Sequence, residues 1–214
     1  MSIYPMFPVK PRSDGMIETV EWQTNVIQAH DGTEQRIKLR EVPRKSVNLS
    51  YDATRWDVSL LDAALFKNVF KHSDPDTLLR YTIPYWWDLQ KLTVAVGVGA
   101  IDVTGIVTTG YAFAVAGLAV LIKASLLYDR ERALLAPDDA ALAVSDDWEV
   151  ITLDGVNATD VTINGATTGA FAIGDYILPA MQGYMTGTTG MDDQTDAGET
   201  FRIRSSFALE PVAE

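Results

Sequence analysis

The sequence predicts a mainly β protein, in which a β-sandwich packs one α-helix and a second small β-barrel or sandwich is added. Three observations lead to this fold class. Apolar and polar residues alternate with a period of two near both ends of the chain. An Asp-Gly turn signal separates two of the alternating stretches. The middle of the chain is rich in Gly, Ala, Val and Thr, and its short β-branched runs are divided by turn residues.

The first alternating stretch predicts a hairpin. Met16, Val20, Trp22 and Val26 share one parity, and "HDGT" at 30–33 follows them. Asp-Gly favours a hairpin because Gly accepts a positive φ angle without a steric penalty. On the return strand Ile37 and Leu39 alternate with Arg36, Lys38 and Arg40, which places the three cations on one face. "SVNLSY" at 46–51 alternates again and predicts a third strand.

Residues 57–72 predict the single helix. Ser59 and Asp62 resemble a capping box with Asp in the place of Glu. "SDPD" at 73–76 ends the segment. The apolar residues recur at helical spacing and predict a stripe that packs on the sheet: Leu61, Leu65, Phe66, Val69 and Phe70.

Two adjacent tryptophans lie in "LLRYTIPYWWDLQKLTV" at 78–94. In a strand, Trp86 and Trp87 would point to opposite faces, so one would pack inside and the other would contact something else. Exposed large aromatic residues are favoured anchors of protein interfaces. Both tryptophans are therefore candidate contact residues, with core packing as the structural alternative.

The later part of the chain predicts a series of short strands and one polar loop. The loop is "MTGTTGMDDQTDAGE" at 185–199, and "TFRIRSSFALEP" at 200–211 predicts a closing strand that returns to the first sheet. The predicted domains are therefore 1–82, closed by 199–214, and an inserted β-rich domain at 83–198. The short strands are expected at 100–103, 118–122, 148–153, 160–163 and 176–181.

The charge distribution also divides the chain. The net charge is −12, yet residues 1–82 carry 11 Lys/Arg and 11 Asp/Glu, whereas residues 83–214 carry 6 and 18. An acidic majority argues against nucleic-acid binding, which needs a basic footprint. Because the chain has no cysteine, it has neither disulfides nor a cysteine nucleophile. The Pro-punctuated start predicts an extended arm rather than a signal peptide, and the apolar run at 111–122 is too short to span a bilayer.

No pattern in the sequence predicts catalysis, a cofactor or a metal, so the expected class is a non-enzyme. "GVGAIDVTG" at 97–105 lacks the glycine spacing of a dinucleotide loop. His30 and His72 are the only histidines, and each has a structural explanation in a turn or at a helix end. The Asp192–Glu199 segment could attract calcium, but it lacks the spacing of an EF-hand loop.

The basic run at 36–45 has two open explanations. Its cations could pair across the sheet with Glu18, Glu21, Glu34 and Glu41 as a solvated face. Alternatively, they could contact an acidic surface of a neighbouring subunit. The predicted subunit interface consists of Arg36, Lys38, Arg40, Arg44, Trp86, Trp87, Tyr4 and Phe7.

Four segments resemble a family of tail proteins from tailed bacteriophages. "EWQTNVIQAHDGTEQRIKLREVPRKSV" is similar to the family's opening hairpin, and "IPYWWDLQKL" to its Pro-x-Trp-x-Asp segment. "YILPAMQGYM" is similar to its Tyr-Pro strand, with inserted residues, and "FRIRSSFALEP" to its closing strand. Residues 104–147 depart from the family's pattern.

This resemblance implies a structural virion protein of the tail tip or baseplate, similar to distal tail proteins. Such a protein would form a homo-oligomeric ring, join the tail tube to hub, tip or fibre proteins, and assemble in the host cytoplasm without inserting in a membrane. Two alternatives stay open. One is a carbohydrate-binding module of a host-recognition device, in which Trp86, Trp87 and Trp148 would stack on sugars. The other is a hydrolase that uses loop carboxylates.

Overall fold

The computed structural model describes residues 6, 16–22, 24–28, 34–38, 44–54, 80–125, 147–194 and 200–209. These residues form twelve β-strands and one 3₁₀ turn, Trp86–Asp88. The chain is thus mainly β, as predicted. The strands are β1 Met16–Glu21, β2 Thr24–Gln28, β3 Glu34–Lys38, β4 Arg44–Thr54, β5 Arg80–Pro84, β6 Gln90–Lys91, β7 Asp102–Thr104, β8 Leu118–Ile122, β9 Trp148–Val156, β10 Asp160–Ile163, β11 Tyr176–Gln194 and β12 Thr200–Leu209.

Ten of these strands form one antiparallel sheet, in which eight follow the order β1-β4-β12-β11-β8-β9-β10-β7 and two, β5 and β6, pair with β11 off this path. The long strand β11 organises it. Its first residues pair with β8 and its later residues with β12, while β5 and β6 also pair with β11. Ala180 pairs with both Pro84 and Leu118, so β5 and β8 lie on opposite edges of β11. The remaining two strands, β2 and β3, form a separate two-stranded sheet.

Strand β8 explains where the core lies. Its sequence LAVLI is buried at all five positions. Ala119 and Leu121 pack in one cluster with Leu153 and Ile177, whereas Val120 packs on the other face in a cluster with Trp148. Since successive side chains of a strand point to opposite faces, a continuous apolar run is what a strand covered on both faces requires.

The Asp-Gly turn signal correctly predicted a hairpin. Strands β2 and β3 pair antiparallel, from Gln28 with Glu34 to Thr24 with Lys38. The predicted first strand is, however, two strands. β1 is not part of the hairpin. It pairs with β4, and Met16 lies opposite Leu49. The basic run is consequently divided between the two-stranded sheet and the large sheet.

The predicted closing strand is confirmed, because β12 pairs with β4 over nine residue pairs. The predicted polar loop at 185–199 is wrong as far as Gln194. β11 continues to that residue opposite β12, with register shifts between Met185 and Gly187 and between Thr189 and Asp193. The bulges accommodate the glycines and acidic residues that made this stretch resemble a loop, and the partner strand outweighs weak local propensity.

The structure also corrects the strand predicted through Trp86 and Trp87. β5 ends at Pro84, and a 3₁₀ turn follows it. The Tyr85 amide donates to the Pro179 carbonyl at 2.8 Å, so this turn is fixed to β11. The predicted strands 118–122 and 160–163 are exact, while β9 extends the predicted 148–153 to Val156.

The helix predicted at 57–72 lies outside the described residues. Within the segment 104–147, residues 126–146 also lie outside them. The division into 1–82 and 83–198 stays a prediction. β11 pairs both with β8 inside the second segment and with β12 at the end of the chain, which ties the two segments through one sheet. Across the described parts of the chain, no helix is long and apolar enough to span a membrane.

Candidate interaction surface

Strand β1 and the residue after it form an exposed apolar surface, which we name the β1 edge (residues 16–22). β1 is the terminal strand of the large sheet. Ile17 is 60%, Val20 47% and Trp22 55% exposed. Ile17 and Val20 differ in parity and therefore lie on opposite faces of the strand. Both faces of β1 are thus accessible, although its partner β4 buries Val47 and Leu49 completely.

Charged residues accompany these apolar side chains. The Lys45 ammonium lies 3.2 Å from a Glu18 carboxylate oxygen, and the register places Glu21 opposite Arg44. Glu18 lies opposite Val47 and Lys45 opposite Val20, so the ion pair is a diagonal pair on one face. The cross-paired sheet face that the sequence suggested is therefore present for Lys45. An exposed pair of this kind stabilises a protein by only about 0.2 to 1 kcal/mol.

The predicted interface cations lie in different places. Arg44 is exposed at the start of β4, next to the β1 edge. Arg36 and Lys38 lie on β3, opposite Val26 and Thr24 of β2. Arg40 lies outside the described residues. The structure therefore brings Arg44 to the edge of the large sheet and leaves Arg36 and Lys38 on the hairpin.

The N-terminal arm is anchored on its own chain at Met6. This residue is 3% exposed, forms a parallel bridge with Thr82, and packs in the cluster that contains Trp86 and Trp148. Tyr4 and Phe7, the two predicted contact residues of the arm, lie outside the described residues. At Met6, therefore, the arm contributes to the core of its own chain.

The two adjacent tryptophans differ sharply in exposure. Trp86 is 6% exposed and belongs to the core cluster, whereas Trp87 is 45% exposed. The inside-outside division expected for the pair holds, although a 3₁₀ turn rather than a strand produces it. Only Trp87 offers surface to a partner. The next residue fixes this turn, because the Asp88 Oδ2 atom accepts a hydrogen bond of 2.9 Å from the Ala112 amide.

Tyr85 connects the turn to the β1 edge electrostatically. Burial, followed by the Glu18 and Asp88 carboxylates, raises the pKa of Tyr85 from 10.0 to about 12. Both causes disfavour the phenolate, since a negative charge is costly in a desolvated place and close to other negative charges. The phenol is therefore neutral at physiological pH and the acidic charge near the β1 edge comes from its carboxylates.

Two buried carboxylates, on β9 and directly before β11, fix neighbouring loops. Glu149 accepts hydrogen bonds from the Thr168 amide at 2.8 Å, the Thr168 hydroxyl at 3.0 Å and the Gly169 amide at 2.9 Å. Asp175 accepts from the amides of Ala124 and Ala172 at 2.9 and 2.7 Å. These acids therefore hold backbone turns through structural hydrogen bonds.

A metal centre finds no support among the residues that the structure covers, since no three His, Asp or Glu side chains there are grouped to hold an ion. His30 and His72 lie outside those residues. Sequence reasoning missed the accessibility of both faces of β1, because alternation alone predicts one buried face. It also missed exposed apolar residues in the segments between strands: Val94, Val98, Ile101, Val107, Tyr111, Val115 and Ile173.

Comparison of the chain with protein-family models and with curated proteins finds no match.

Proposed function

We propose that this protein is a structural subunit of a bacteriophage tail tip or baseplate, similar to distal tail proteins, which assembles with copies of itself into a ring. The ring would join the tail tube to hub, tip or fibre proteins in the virion and would assemble in the host cytoplasm. No reaction or cofactor belongs to this proposal. The interface would include the β1 edge, Arg44 and Trp87, together with the hairpin cations.

One observation carries the proposal. Three of the four segments that resemble the tail family are far apart in sequence, yet the large sheet joins them, whereas β2 and β3 of the first segment form a separate sheet. "IPYWWDLQKL" supplies the end of β5, the 3₁₀ turn and β6, and these strands pair with β11, which begins with "YILPAMQGYM". "FRIRSSFALEP" supplies most of β12, which pairs with β11 and β4. Accidental similarity of separate short segments would not require them to be neighbours in one sheet.

The exposed β1 edge supports assembly as a second, weaker argument. A terminal strand presents a row of unpaired backbone donors and acceptors, and soluble monomers usually protect such an edge. Exposed Ile17, Val20 and Trp22 add apolar surface there. Aromatic residues and accessible apolar side chains are common at the centre of protein interfaces.

Sizing of the purified chain by light scattering, followed by electron microscopy of the largest species, tests the proposal. We expect a closed oligomer with a central opening. A monomer at every concentration would contradict it. The neighbouring reading frames provide an independent check, since a nearby gene for a long coiled-coil tape-measure protein is expected beside a tail-tip gene.

Two of the three tryptophans proposed to bind sugar in the carbohydrate-binding alternative are inaccessible. Sugar stacking needs accessible aromatic faces, but Trp86 and Trp148 are both buried in the core. Trp87 alone among the three retains substantial exposure. A single exposed ring does not favour this function over assembly.

A further inference from the structure

Trp87 and Tyr111 are exposed aromatic residues on two loops that one hydrogen bond joins. Asp88 follows Trp87, Ala112 follows Tyr111, and the Ala112 amide donates to the Asp88 Oδ2 atom at 2.9 Å. Trp87 is 45% and Tyr111 37% exposed. Large aromatic side chains exposed on neighbouring loops are typical of a surface that binds another segment. We name Trp87, Asp88 and Tyr111 the aromatic surface.

The N-terminal arm of the same chain leads towards this surface. Met6 is buried in one cluster with Trp86, and it forms a parallel bridge with Thr82 of β5. At Met6 the chain therefore runs in the same direction as β5, and the end of β5 leads into the 3₁₀ turn that contains Trp87. The segment that follows Met6, residues 7–12, lies outside the described residues. Its starting point and the direction of the chain there are both determined by the bridge.

The sequence of this segment has the chemistry that an aromatic surface recognises. It reads FPVKPR and, together with Pro5, it places proline at every third position, 5, 8 and 11. A polyproline II helix has about three residues per turn, so prolines at this spacing would share one face. Proline-rich segments with this spacing dock on surfaces lined by aromatic residues.

The segment is also long enough to reach Trp87. β5 and the turn after it carry the chain about 13 Å from Thr82 to Trp87, at about 3.3 Å per strand residue and about 2.0 Å per turn residue. Polyproline II rises about 3.1 Å per residue, so Pro8 would lie about 6 Å and Pro11 about 16 Å beyond Met6. The distance to Trp87 falls between these two values.

Charge favours the same occupant. Residues 7–12 include Lys10 and Arg12 and no acidic residue. Asp88 is the charged member of the aromatic surface, and its hydrogen bond to a neutral backbone amide does not neutralise its negative charge. A basic segment is attracted to this carboxylate, whereas an acidic one is repelled. The rest of the chain is acidic on average, since its net charge is −12, so the basic arm is the better match.

We propose that residues 7–12 bind the aromatic surface of their own chain, with Pro8 and Pro11 against its rings. Because Met6 is anchored beside this surface, the arm is present there at a high effective concentration, which favours it over a segment of another molecule. The contact goes beyond the proposed function and does not depend on it, since a monomer would also form it. In a ring, Trp87 would contribute to the subunit interface together with the arm that covers it.

Hydroxyl-radical footprinting of the intact chain, read by mass spectrometry, tests this contact. Trp22 is the internal reference, because its exposure of 55% is close to the 45% of Trp87. With the arm bound, Trp87 should be oxidised more slowly than Trp22. Pro8→Gly with Pro11→Gly should raise the oxidation rate of Trp87 to that of Trp22, whereas Pro137→Gly, outside the arm, should not change it. Circular dichroism checks that each variant is folded.

Asp88→Asn tests the charge separately. The asparagine side-chain oxygen can still accept the loop amide, so the turn is retained while the negative charge is lost. This change should raise the oxidation rate of Trp87, and Lys10→Gln with Arg12→Gln should raise it to the same extent. Combining the three changes should add nothing further, because they remove one and the same interaction. Asp102→Asn, at an exposed position of β7, is the matched control and should have no effect.

The outcomes separate this contact from the proposed function. Equal oxidation of Trp87 and Trp22 in the wild type, unchanged by the glycine substitutions, would overturn the arm contact whatever the oligomer mass. Protection of Trp87 that disappears on dilution would overturn it as well, because the covering segment would then belong to another copy. Protection that is independent of concentration and is lost with the two prolines supports it. A chain that shows this protection but stays monomeric at every concentration would overturn the proposed function alone.

Discussion

Glu149 shows how a charged residue can lie within an apolar strand. It occurs in "WEVITL", where Trp148 and Val150 pack on one face while Ile151 and Leu153 pack on the other. Glu149 is 3% exposed, and burial of a carboxylate is costly unless hydrogen bonds compensate it. Two amides and one hydroxyl of Thr168 and Gly169 provide that compensation. The residue therefore fixes the 168–169 turn against β9.

Replacing Glu149 should destabilise the fold through this turn. Glu149→Ala removes the acceptor of two part-buried backbone amides, at a cost of about 0.5 to 1.5 kcal/mol for each lost hydrogen bond. Glu149→Gln keeps one acceptor oxygen and should cost less. Urea unfolding followed by circular dichroism measures the difference. Asp154→Ala, an exposed position on the same strand, is the matched control and should change the free energy of unfolding little. Equal stability of Glu149→Ala and this control would contradict the structural role.

Tyr85 gives the protein a specific sensitivity to alkaline pH. Its pKa is about 12 in the folded chain against 10.0 for an ordinary tyrosine. Above pH 10 the unfolded chain releases the phenol proton while the folded chain retains it, so stability must fall as the pH rises towards 12. Tyr85→Phe removes this proton and should flatten the decline. Thermal unfolding of both proteins between about pH 9 and pH 11.5 measures it. Parallel declines would show that Tyr85 does not contribute.

At the scale of elements, long-range pairing explains which predictions succeeded. β8 and β10 were predicted exactly because each is a short β-branched or apolar run between turn residues. The pairing of β2 with β3 was predicted because an Asp-Gly step between two alternating stretches favours a hairpin. The second half of β11 was missed, since its glycines and aspartates favour a loop and only the ladder with β12 makes it a strand. No local pattern contains that information.

Hydrogen exchange should rank the strands by their neighbours. β8 has strands on both sides and buried residues on both faces, so its amides should exchange most slowly. The outer amides of β1 should exchange quickly in a dispersed monomer, because β1 pairs with β4 on one side and its residues are exposed. Mass spectrometry of exchanged peptides checks this order.

Assembly through the β1 edge adds a stricter expectation, namely that the β1 amides become protected from exchange in the oligomer while the exchange of β8 does not change. Fast exchange of β1 in both states would count against a contact at that edge.

For the whole molecule, the sequence predicted part of the candidate surface. The hairpin cations were noticed because five Lys and Arg residues fall between positions 36 and 45. The exposed β1 edge was not predicted, since it forms only because β1 pairs with β4 at the end of the large sheet and not with the hairpin. Trp86 was included because sequence cannot tell a buried tryptophan from its exposed neighbour. Charge pattern predicts a candidate contact residue, while the order of strands determines whether it is accessible.

The charge division of the chain leads to a salt dependence of assembly. Contacts between the hairpin cations and carboxylates of a neighbouring copy should weaken as salt shortens the range of electrostatic attraction from about 10 Å at 0.1 M to about 3 Å at 1 M. Apolar contacts respond in the opposite direction to salts such as sulfate, which strengthen burial. We therefore expect sodium chloride to lower the oligomer mass measured by light scattering. Arg36→Gln with Lys38→Gln should reduce that dependence, because fewer charges remain to be screened. A mass that sodium chloride leaves unchanged, in both the wild type and this variant, would show that apolar residues such as Ile17 and Trp22 dominate the contact.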